Sequence, residues 1–252
     1  IDLASGELVG FEMLARWVSP VRGLISPDDF IPIAEETGMI GDLSLSIIRK
    51  AMIEAKNWDP KLTISVNISP VQLKDPWLAQ KIVKLLVETG FPASRLEVEI
   101  TESSLFKNLS LAQSIVGSLK NQGIRIALDD FGTGYSSLAH LRALPFDRIK
   151  IDRSFVSSMF ENAESAAIVS AIAGLGASLD VPITAEGIEN EESITKLKAL
   201  GCTKGQGWYF GQPMNIDQVH TLLTQRNLIP SRRRNNTAEA ALPEALEERK
   251  AS

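Results

Sequence analysis

Two adjacent carboxylates, Asp129 and Asp130, come directly after a segment, residues 124–128, whose apolar residues alternate with the period of a strand. Two glycines, Gly132 and Gly134, follow at a spacing typical of a sharp loop. Neighbouring negative charges repel each other, more strongly when buried, and a divalent cation is the usual partner that neutralises them. An Asp- and Gly-rich surface turn is the alternative, but the apolar segment before the pair favours a buried strand end.

Other chemically capable side chains stand at or near the ends of further predicted strands. Carboxylates and amides predominate among them, and there is one lysine. Because parallel strands deliver their carboxyl ends to one edge of a sheet, we expect a ring of oxygen ligands around one or two divalent cations. These side chains are Glu12, Asn67, Glu99, Asp129, Glu186 and Gln206, and Lys150 stands among them as the cation of the ring.

Several of these residues have an ordinary structural interpretation. Glu12 lies within an apolar run and needs a partner, for which a salt bridge with Arg16 is favoured over a metal when the run is taken alone. Asn67 precedes Ser-Pro, where it is commonly a turn residue. Lys150 and Asp152 face the same way, two positions apart, and could pair with each other.

Glu97 and Glu99 alternate with aliphatic residues, so they share one face of a strand. In a barrel the aliphatic face packs against helices, which directs this acidic face to the interior. An exposed edge strand is the alternative, although a closed barrel has no edge.

The elements that must position these groups alternate between strand and helix patterns. Ser26 and Pro27 predict a helix start, and Gly90 a helix stop. Repeated strand–helix units predict an α/β fold, a modified TIM-type (β/α)8 barrel over residues 1–228, with a disordered tail at 229–252. Predicted strands are 8–17, 62–68, 96–102, 124–128, 148–152, 181–189 and 205–211, and predicted helices are 40–58, 75–89, 105–122, 163–179, 191–200 and 216–225.

Composition limits the function further. The chain has 252 residues, a net charge of −5 and one cysteine, so an internal disulfide is excluded and a reducing compartment is expected. With two histidines, a structural zinc site is not expected, and Mg²⁺ or Mn²⁺ is the predicted metal. The mild acidity argues against binding duplex nucleic acid. No membrane span or signal peptide is visible, which predicts a cytoplasmic domain, tethered to a membrane only through a preceding segment.

A carboxylate-rich site of this kind suits hydrolysis of phosphate esters. Two metals about 3.5–4 Å apart stabilise both the attacking and the leaving oxygen of an in-line displacement. Lys150 could orient the nucleophile or offset transition-state charge, and Arg16 could hold a phosphate oxygen.

The same residues resemble the signature motifs of EAL domains, the bacterial phosphodiesterases of the second messenger cyclic di-GMP. The resemblance covers about residues 1–225. The motifs are Glu12-Met13-Leu14 with Arg16-Trp17, Ser65-Val66-Asn67-Ile68-Ser69, Glu99-Ile100-Thr101-Glu102, Asp129-Asp130-Phe131-Gly132-Thr133-Gly134, Lys150-Ile151-Asp152, Glu186-Gly187-Ile188-Glu189 and Gln206-Gly207.

The resemblance implies a role for each motif and hydrolysis of cyclic di-GMP to linear pGpG. Glu12, Asn67, Glu99 and Asp129 would hold one Mg²⁺ or Mn²⁺, and Asp129, Asp130 and Glu186 would hold or surround a second. Because Ca²⁺ prefers more ligands and looser geometry, we expect it to occupy the site and inhibit. Lys150 would contact the catalytic water, and Glu186 would be base, ligand or both. Glu102 would anchor the loop from Asp130 to Ser137, which the family associates with dimerisation. Leu14, Arg16, Asp152 and Gln206 would line the substrate site.

The resemblance also implies partners and shows departures. A homodimer and an upstream sensor or GGDEF domain are expected. Met13 stands where the family has Ala, and Gln212 where Lys or Arg is frequent. The Gln-Pro strand that normally opens the domain is absent, so an incomplete N-terminal strand is expected. Two other functions remain open: a catalytically silent cyclic di-GMP receptor, and a barrel lyase or isomerase that uses a metal with Lys150.

Overall fold

The structure, a computed structural model, describes residues 1–105, 109–134, 141 and 144–229. Residues 135–137 of the loop that Glu102 is expected to anchor, and the predicted tail beyond Ile229, lie outside these residues. The strands are β1 (Gly10–Met13), β2 (Trp17–Ser19), β3 (Gly23–Ile25), β4 (Thr63–Ile68), β5 (Leu96–Thr101), β6 (Arg125–Phe131), β7 (Arg148–Ile151), β8 (Ile183–Ala185) and β9 (Lys204–Gly205).

Helices cover the outer face of the strands. They are α1 (Pro27–Glu36), α2 (Ile40–Ala55), α3 (Leu78–Thr89), α4 (Glu102–Leu105), α5 (Leu109–Asn121), α6 (Arg153–Ser158), α7 (Ala163–Leu179), α8 (Glu191–Ala199) and α9 (Ile216–Gln225), with 3-10 turns at Gln72–Lys74 and Ala93–Arg95. None of the described helices is both long enough and apolar enough to cross a bilayer.

Seven strands form one parallel sheet in the order β1-β4-β5-β6-β7-β8-β9. Because helices lie in the crossovers from β1 to β4, β4 to β5, β5 to β6, β7 to β8 and β8 to β9, the sheet has the topology of a (β/α) barrel, as predicted. β5 lies between β4 and β6, so the edge-strand interpretation of Glu97 and Glu99 is wrong. β2 and β3 form a separate antiparallel hairpin.

The N-terminal segment, residues 1–3, hydrogen-bonds to β9 and leads into β1. The amino group of Ile1 donates to Gly205 O at 3.0 Å, and the amide of Leu3 donates to Thr203 O, also at 3.0 Å. Asp2 N then donates to Glu7 O at 2.9 Å, ahead of β1. Residues 1–3 therefore run antiparallel beside β9 with a single bridge.

Local signals placed most helix ends correctly. Ser26 Oγ accepts from the amide of Asp28 as the N-cap of α1, and Gly90 ends α3 in the left-handed conformation. Helices 163–179 and 216–225 have their predicted bounds. Asn162 caps the first of these, and Asn215 forms a capping box in the second.

Several predicted bounds were wrong. The strand predicted at 8–17 divides into β1 and β2, and the strand predicted at 205–211 is only β9. The segment at 181–189 contributes only β8, because the chain turns at Gly187, whose φ is +69°. The helix predicted at 105–122 ends one residue early, at Asn121 of α5, and its residues 106–108 lie outside the described residues.

Candidate active site

The carboxyl ends of the parallel strands bring the predicted ring together. Asn67 pairs with Glu99 across β4 and β5, and Asp129 pairs with Thr101 across β5 and β6. The other ring members end, or directly follow, the remaining strands of the sheet: Glu12 in β1, Lys150 in β7, Glu186 after β8 and Gln206 after β9. All of them therefore lie at one rim of the barrel, where barrel enzymes carry their chemistry.

The ammonium group of Lys150 lies at the centre of this ring. Lys150 is only 2% exposed. Four carboxylates from four strands face the ammonium, and we call these four and Lys150 the rim cluster. The distances from Nζ are 2.7 Å to Glu99 Oε2, 2.7 Å to Glu186 Oε1, 3.1 Å to Asp129 Oδ1 and 3.6 Å to Glu12 Oε2.

Two sequence-based pairings are corrected here. Arg16 does not pair with Glu12: it is exposed and donates to its neighbour Ala15 O, because the chain leaves the sheet after β1. Lys150 does not pair with Asp152 either. Asp152 caps α6 by accepting from the amide of Ser154 at 2.9 Å, whereas the curl of the sheet brings four other strands to Lys150.

Glu12 is held through both carboxylate oxygens. Asn67 Nδ2 donates to its Oε1 at 2.8 Å, and Gln206 Nε2 donates to its Oε2 at 2.6 Å. Burial raises the pKa of Glu12, but Lys150 and these two amide donors outweigh it and leave the pKa below its ordinary value. Glu12 is therefore ionised near neutral pH. The sequence predicted these residues at one rim but not the hydrogen bond between Glu12 and Gln206, which are 194 residues apart.

The other carboxylates carry more negative charge than one lysine can offset. Burial, together with Glu12 and Asp129, raises the pKa of Glu99 well above its ordinary value. Burial, with Asp129 and Glu12, raises the pKa of Glu186 to about 7. Burial alone would lower the pKa of Lys150, yet the surrounding carboxylates hold it well above its ordinary value. Lys150 is accordingly charged.

Asp129 and Asp130 are placed by a distortion at the end of β6. The register with β7 shifts between Leu128 and Phe131, and Asp130 has a left-handed φ of +53°. Its amide donates to Asp129 Oδ1 at 3.0 Å. Burial, followed by the charge of Asp129, raises the pKa of Asp130 to about 6.

Glu102 contacts the loop that follows β6. The amide of Gly132 donates to Glu102 Oε2 at 3.1 Å. A Cβ added at Gly134 would lie 2.8 Å from Glu102 Oε1, so the loop passes close to this carboxylate. Anchoring of the loop by Glu102 stays a prediction, as do substrate contacts by the exposed Leu14 and Arg16.

One ion pair inside the barrel escaped the sequence analysis. Arg148 Nη2 lies 3.3 Å from the buried Glu97 Oε2, two positions below Lys150 and Glu99 on the same strand faces. Arg148 Nη1 also donates to Thr184 Oγ1 at 3.3 Å. The alternation in β5 and β7 placed both side chains inside, but the register between strands that joins them is not visible in the sequence.

The donor set fits a hard divalent cation in type and charge. Carboxylates and two amides, Asn67 and Gln206, surround the site, and the acids of the rim cluster with Asp130 exceed the single cation Lys150. Among the described residues, no three acidic, histidine or cysteine side chains are already spaced to share one ion. Lys150 stands at the point where the carboxylates converge, so these carboxylates must turn from the ammonium to take an ion.

Comparison with known proteins identifies the family. The EAL domain model matches residues 1–213, more than four fifths of the chain. The chain belongs to the EAL domain family.

Two relatives of this EAL domain carry informative names. "Cyclic di-GMP phosphodiesterase PA2567" of Pseudomonas aeruginosa is 36% identical over 226 residues, 88% of this chain and 38% of that protein. An "uncharacterized signaling protein" of Caulobacter vibrioides is 49% identical over 216 residues, 86% of this chain and 27% of that protein. The chain thus spans about a quarter to two fifths of these relatives.

A solved structure described as "PaMucR Phosphodiesterase, c-di-GMP complex" has the same fold. Its TM-score is 0.84 at 36% sequence identity, covering 87% of this chain and 90% of that chain. This similarity agrees with the barrel architecture that the strand order and register of the sheet show.

Proposed function

We propose that this EAL domain hydrolyses one phosphodiester bond of cyclic di-GMP to give linear pGpG. The observation that carries the proposal is the convergence of four carboxylates, from four strands, on one point at the rim of the barrel. A surplus of buried negative oxygens is suited to divalent cations and phosphate chemistry. The names of PA2567 and of the MucR complex support the choice of nucleotide.

Bound Mg²⁺ or Mn²⁺ would lower the pKa of a water and offset charge on the phosphate. The ions would be held, as the resemblance implies, by Glu12, Asn67, Glu99 and Asp129 and by Asp129, Asp130 and Glu186.

The residues of the chain supply the rest of the mechanism. Glu186, with a pKa of about 7, can accept the proton of the attacking water near neutral pH. The water oxygen attacks phosphorus, the bond from phosphorus to the 3′ oxygen breaks, and this oxygen takes a proton from solvent, which leaves a 3′-hydroxyl and the 5′-phosphate of pGpG. The ammonium of Lys150 orients the nucleophile and offsets negative charge that develops on phosphorus. Arg16 can bind a phosphate oxygen from the exposed side of the rim.

The direct test is to incubate the purified chain with cyclic di-GMP and Mn²⁺ and to follow pGpG by chromatography. We expect product, loss of product with Glu186→Gln, and little product when Ca²⁺ replaces Mn²⁺, since Ca²⁺ prefers more ligands and looser geometry. Glu192→Gln is the matched control, because Glu192 is an exposed glutamate in the first turn of α8, outside the motifs of the family. No pGpG from the unaltered chain with either Mg²⁺ or Mn²⁺ would refute the proposal.

One observation favours the alternative of a silent cyclic di-GMP receptor. Lys150 already occupies the centre of the cluster and compensates part of its charge without a metal. Under this alternative the chain binds the nucleotide in isothermal titration, forms no pGpG, and binds equally well with Glu186→Gln. Failure to bind any guanine dinucleotide would instead favour a barrel lyase or isomerase.

The expected partners are proposals of the same kind. A bifunctional diguanylate cyclase/cyclic di-GMP phosphodiesterase, MucR of Pseudomonas aeruginosa, is 37% identical, and the chain spans 32% of it. We propose that this domain works in the cytoplasm as a homodimer, beside a sensor or GGDEF domain. Light scattering of the purified chain tests the dimer: a mass of one chain at micromolar concentration would contradict it.

A further inference from the structure

We infer that Gln206 is a positioning residue for the carboxylate of Glu12, and that it prepares this carboxylate for a metal rather than contacting substrate. The inference rests on the proposed function. Gln206 Nε2 donates to Glu12 Oε2 at 2.6 Å. This bond joins the residue after β9 to β1, and these are the two outermost strands of the sheet.

The backbone of Gln206 is fixed on both sides. Its amide donates to Ala185 O at 2.9 Å, and its carbonyl accepts from the amide of Ile188 at 3.0 Å. The next residue, Gly207, approaches Ile188 so closely that an added Cβ would lie 2.2 Å from Ile188 N. The side-chain amide therefore extends from a rigid base on β8 and the turn that follows it.

The opposite oxygen of Glu12 is held in the same way. Asn67 Nδ2 donates to Glu12 Oε1 at 2.8 Å from β4. Each oxygen of the Glu12 carboxylate thus accepts a hydrogen bond from one amide, and the two bonds set the plane of the carboxylate. In this orientation Glu12 Oε2 lies 3.6 Å from Lys150 Nζ. Removal of Gln206 frees one oxygen, so the carboxylate can rotate away from the orientation that a metal would use.

The test measures Mn²⁺ binding by the nucleotide-free chain with electron paramagnetic resonance. Gln206→Leu should raise the dissociation constant for Mn²⁺ about 10-fold, the usual consequence of losing a group that orients a metal ligand. Gln80→Leu, at an exposed position of α3, is the matched control and should leave the constant unchanged. The melting temperatures should stay close together, because Gln206 is itself exposed.

Kinetics separates positioning from substrate contact. A positioning role predicts that the Gln206→Leu variant loses turnover at low Mn²⁺ and regains it in excess Mn²⁺, with KM for cyclic di-GMP unchanged. Unaltered Mn²⁺ affinity, a raised KM that excess Mn²⁺ does not restore, or no Mn²⁺ binding by the unaltered chain would each overturn the inference. Mn²⁺ binding that depends on Gln206 in a chain that forms no pGpG would refute the proposed function alone.

Discussion

Two layers of charged side chains fill the barrel, and they are balanced differently. In the rim cluster, four carboxylates face Lys150. The layer two positions earlier on the same strand faces, which we call the lower layer, consists of Glu97, Arg148, Thr184 and Lys204. Here the buried Glu97 pairs with Arg148 at 3.3 Å, and Lys204 adds a second cation to the layer. In the lower layer, the negative charge of the buried carboxylate is thus compensated by cations of the chain itself. In the rim cluster, the carboxylates outnumber the one lysine, so a divalent cation from solution could neutralise the excess.

The largest expected effect comes from removing the one cation of the rim cluster. Lys150→Met leaves the buried carboxylates without their partner, which should lower the free energy of unfolding by about 3–5 kcal/mol without metal. Hydrolysis of cyclic di-GMP should fall at least about 100-fold, as on losing a group that stabilises transition-state charge. Urea unfolding with and without Mn²⁺ measures the first effect, and Mn²⁺ should restore part of the stability.

Lys198→Met is the control for that experiment, since Lys198 is exposed on α8. If the Lys150→Met variant were as stable as the unaltered chain in the absence of Mn²⁺, the rim would not be a region of uncompensated charge.

A double-mutant cycle in the lower layer gives the contrasting result. Glu97→Leu alone leaves Arg148 buried without its carboxylate and should lower the free energy of unfolding by about 3 kcal/mol. The double variant Glu97→Leu with Arg148→Met should recover most of this loss, because an apolar pair of similar volume can replace a buried ion pair. If urea unfolding showed that the double variant loses as much free energy of unfolding as the two single variants together, Glu97 and Arg148 would not form a pair that balances its own charge.

The smallest effect is a pH dependence at Lys204. Burial, then the charge of Arg148, lowers the pKa of Lys204 to about 8, although Glu97 and Asp2 oppose the shift and Arg125 adds to it. Between pH 8 and the ordinary pKa of 10.5, the unfolded chain binds more protons at this lysine, so its contribution to stability rises with pH.

Melting curves measure this contribution as the difference between the unaltered chain and Lys204→Met. The variant should be the more stable of the two at pH 7, and its advantage should shrink between pH 8 and 10. An advantage that is constant with pH would show that Lys204 keeps its proton in the folded chain.

Features encoded by neighbouring residues were predictable from the sequence. Helices 163–179 and 216–225 appear as predicted because apolar spacing and the caps Asn162 and Asn215 act within one or two turns. The polar ends of the parallel strands were also predictable, since alternation places Glu99 and Asp129 on the interior face. The ring at the rim follows from this local pattern together with the parallel topology.

Partners set by the curl of the sheet were not predictable. Two pairs were predicted because their members are near each other in the sequence: Glu12 with Arg16, and Lys150 with Asp152. Both predictions were wrong. Glu12 instead meets Gln206 across the closing strands, and Arg148 meets Glu97 through a register that no single strand reveals. The early end of β1 likewise depends on where β4 stops pairing with it.

The left-handed backbone at Asp130 has a consequence for protein engineering. Consecutive residues of an ordinary strand point to opposite faces, so one irregular backbone step is needed for neighbouring aspartates to serve one cleft. Asparagine adopts this conformation readily, while a β-branched residue does not. Comparing Asp130→Asn with Asp130→Val would therefore separate loss of a charge from loss of the local chain path, two effects that an alanine scan merges.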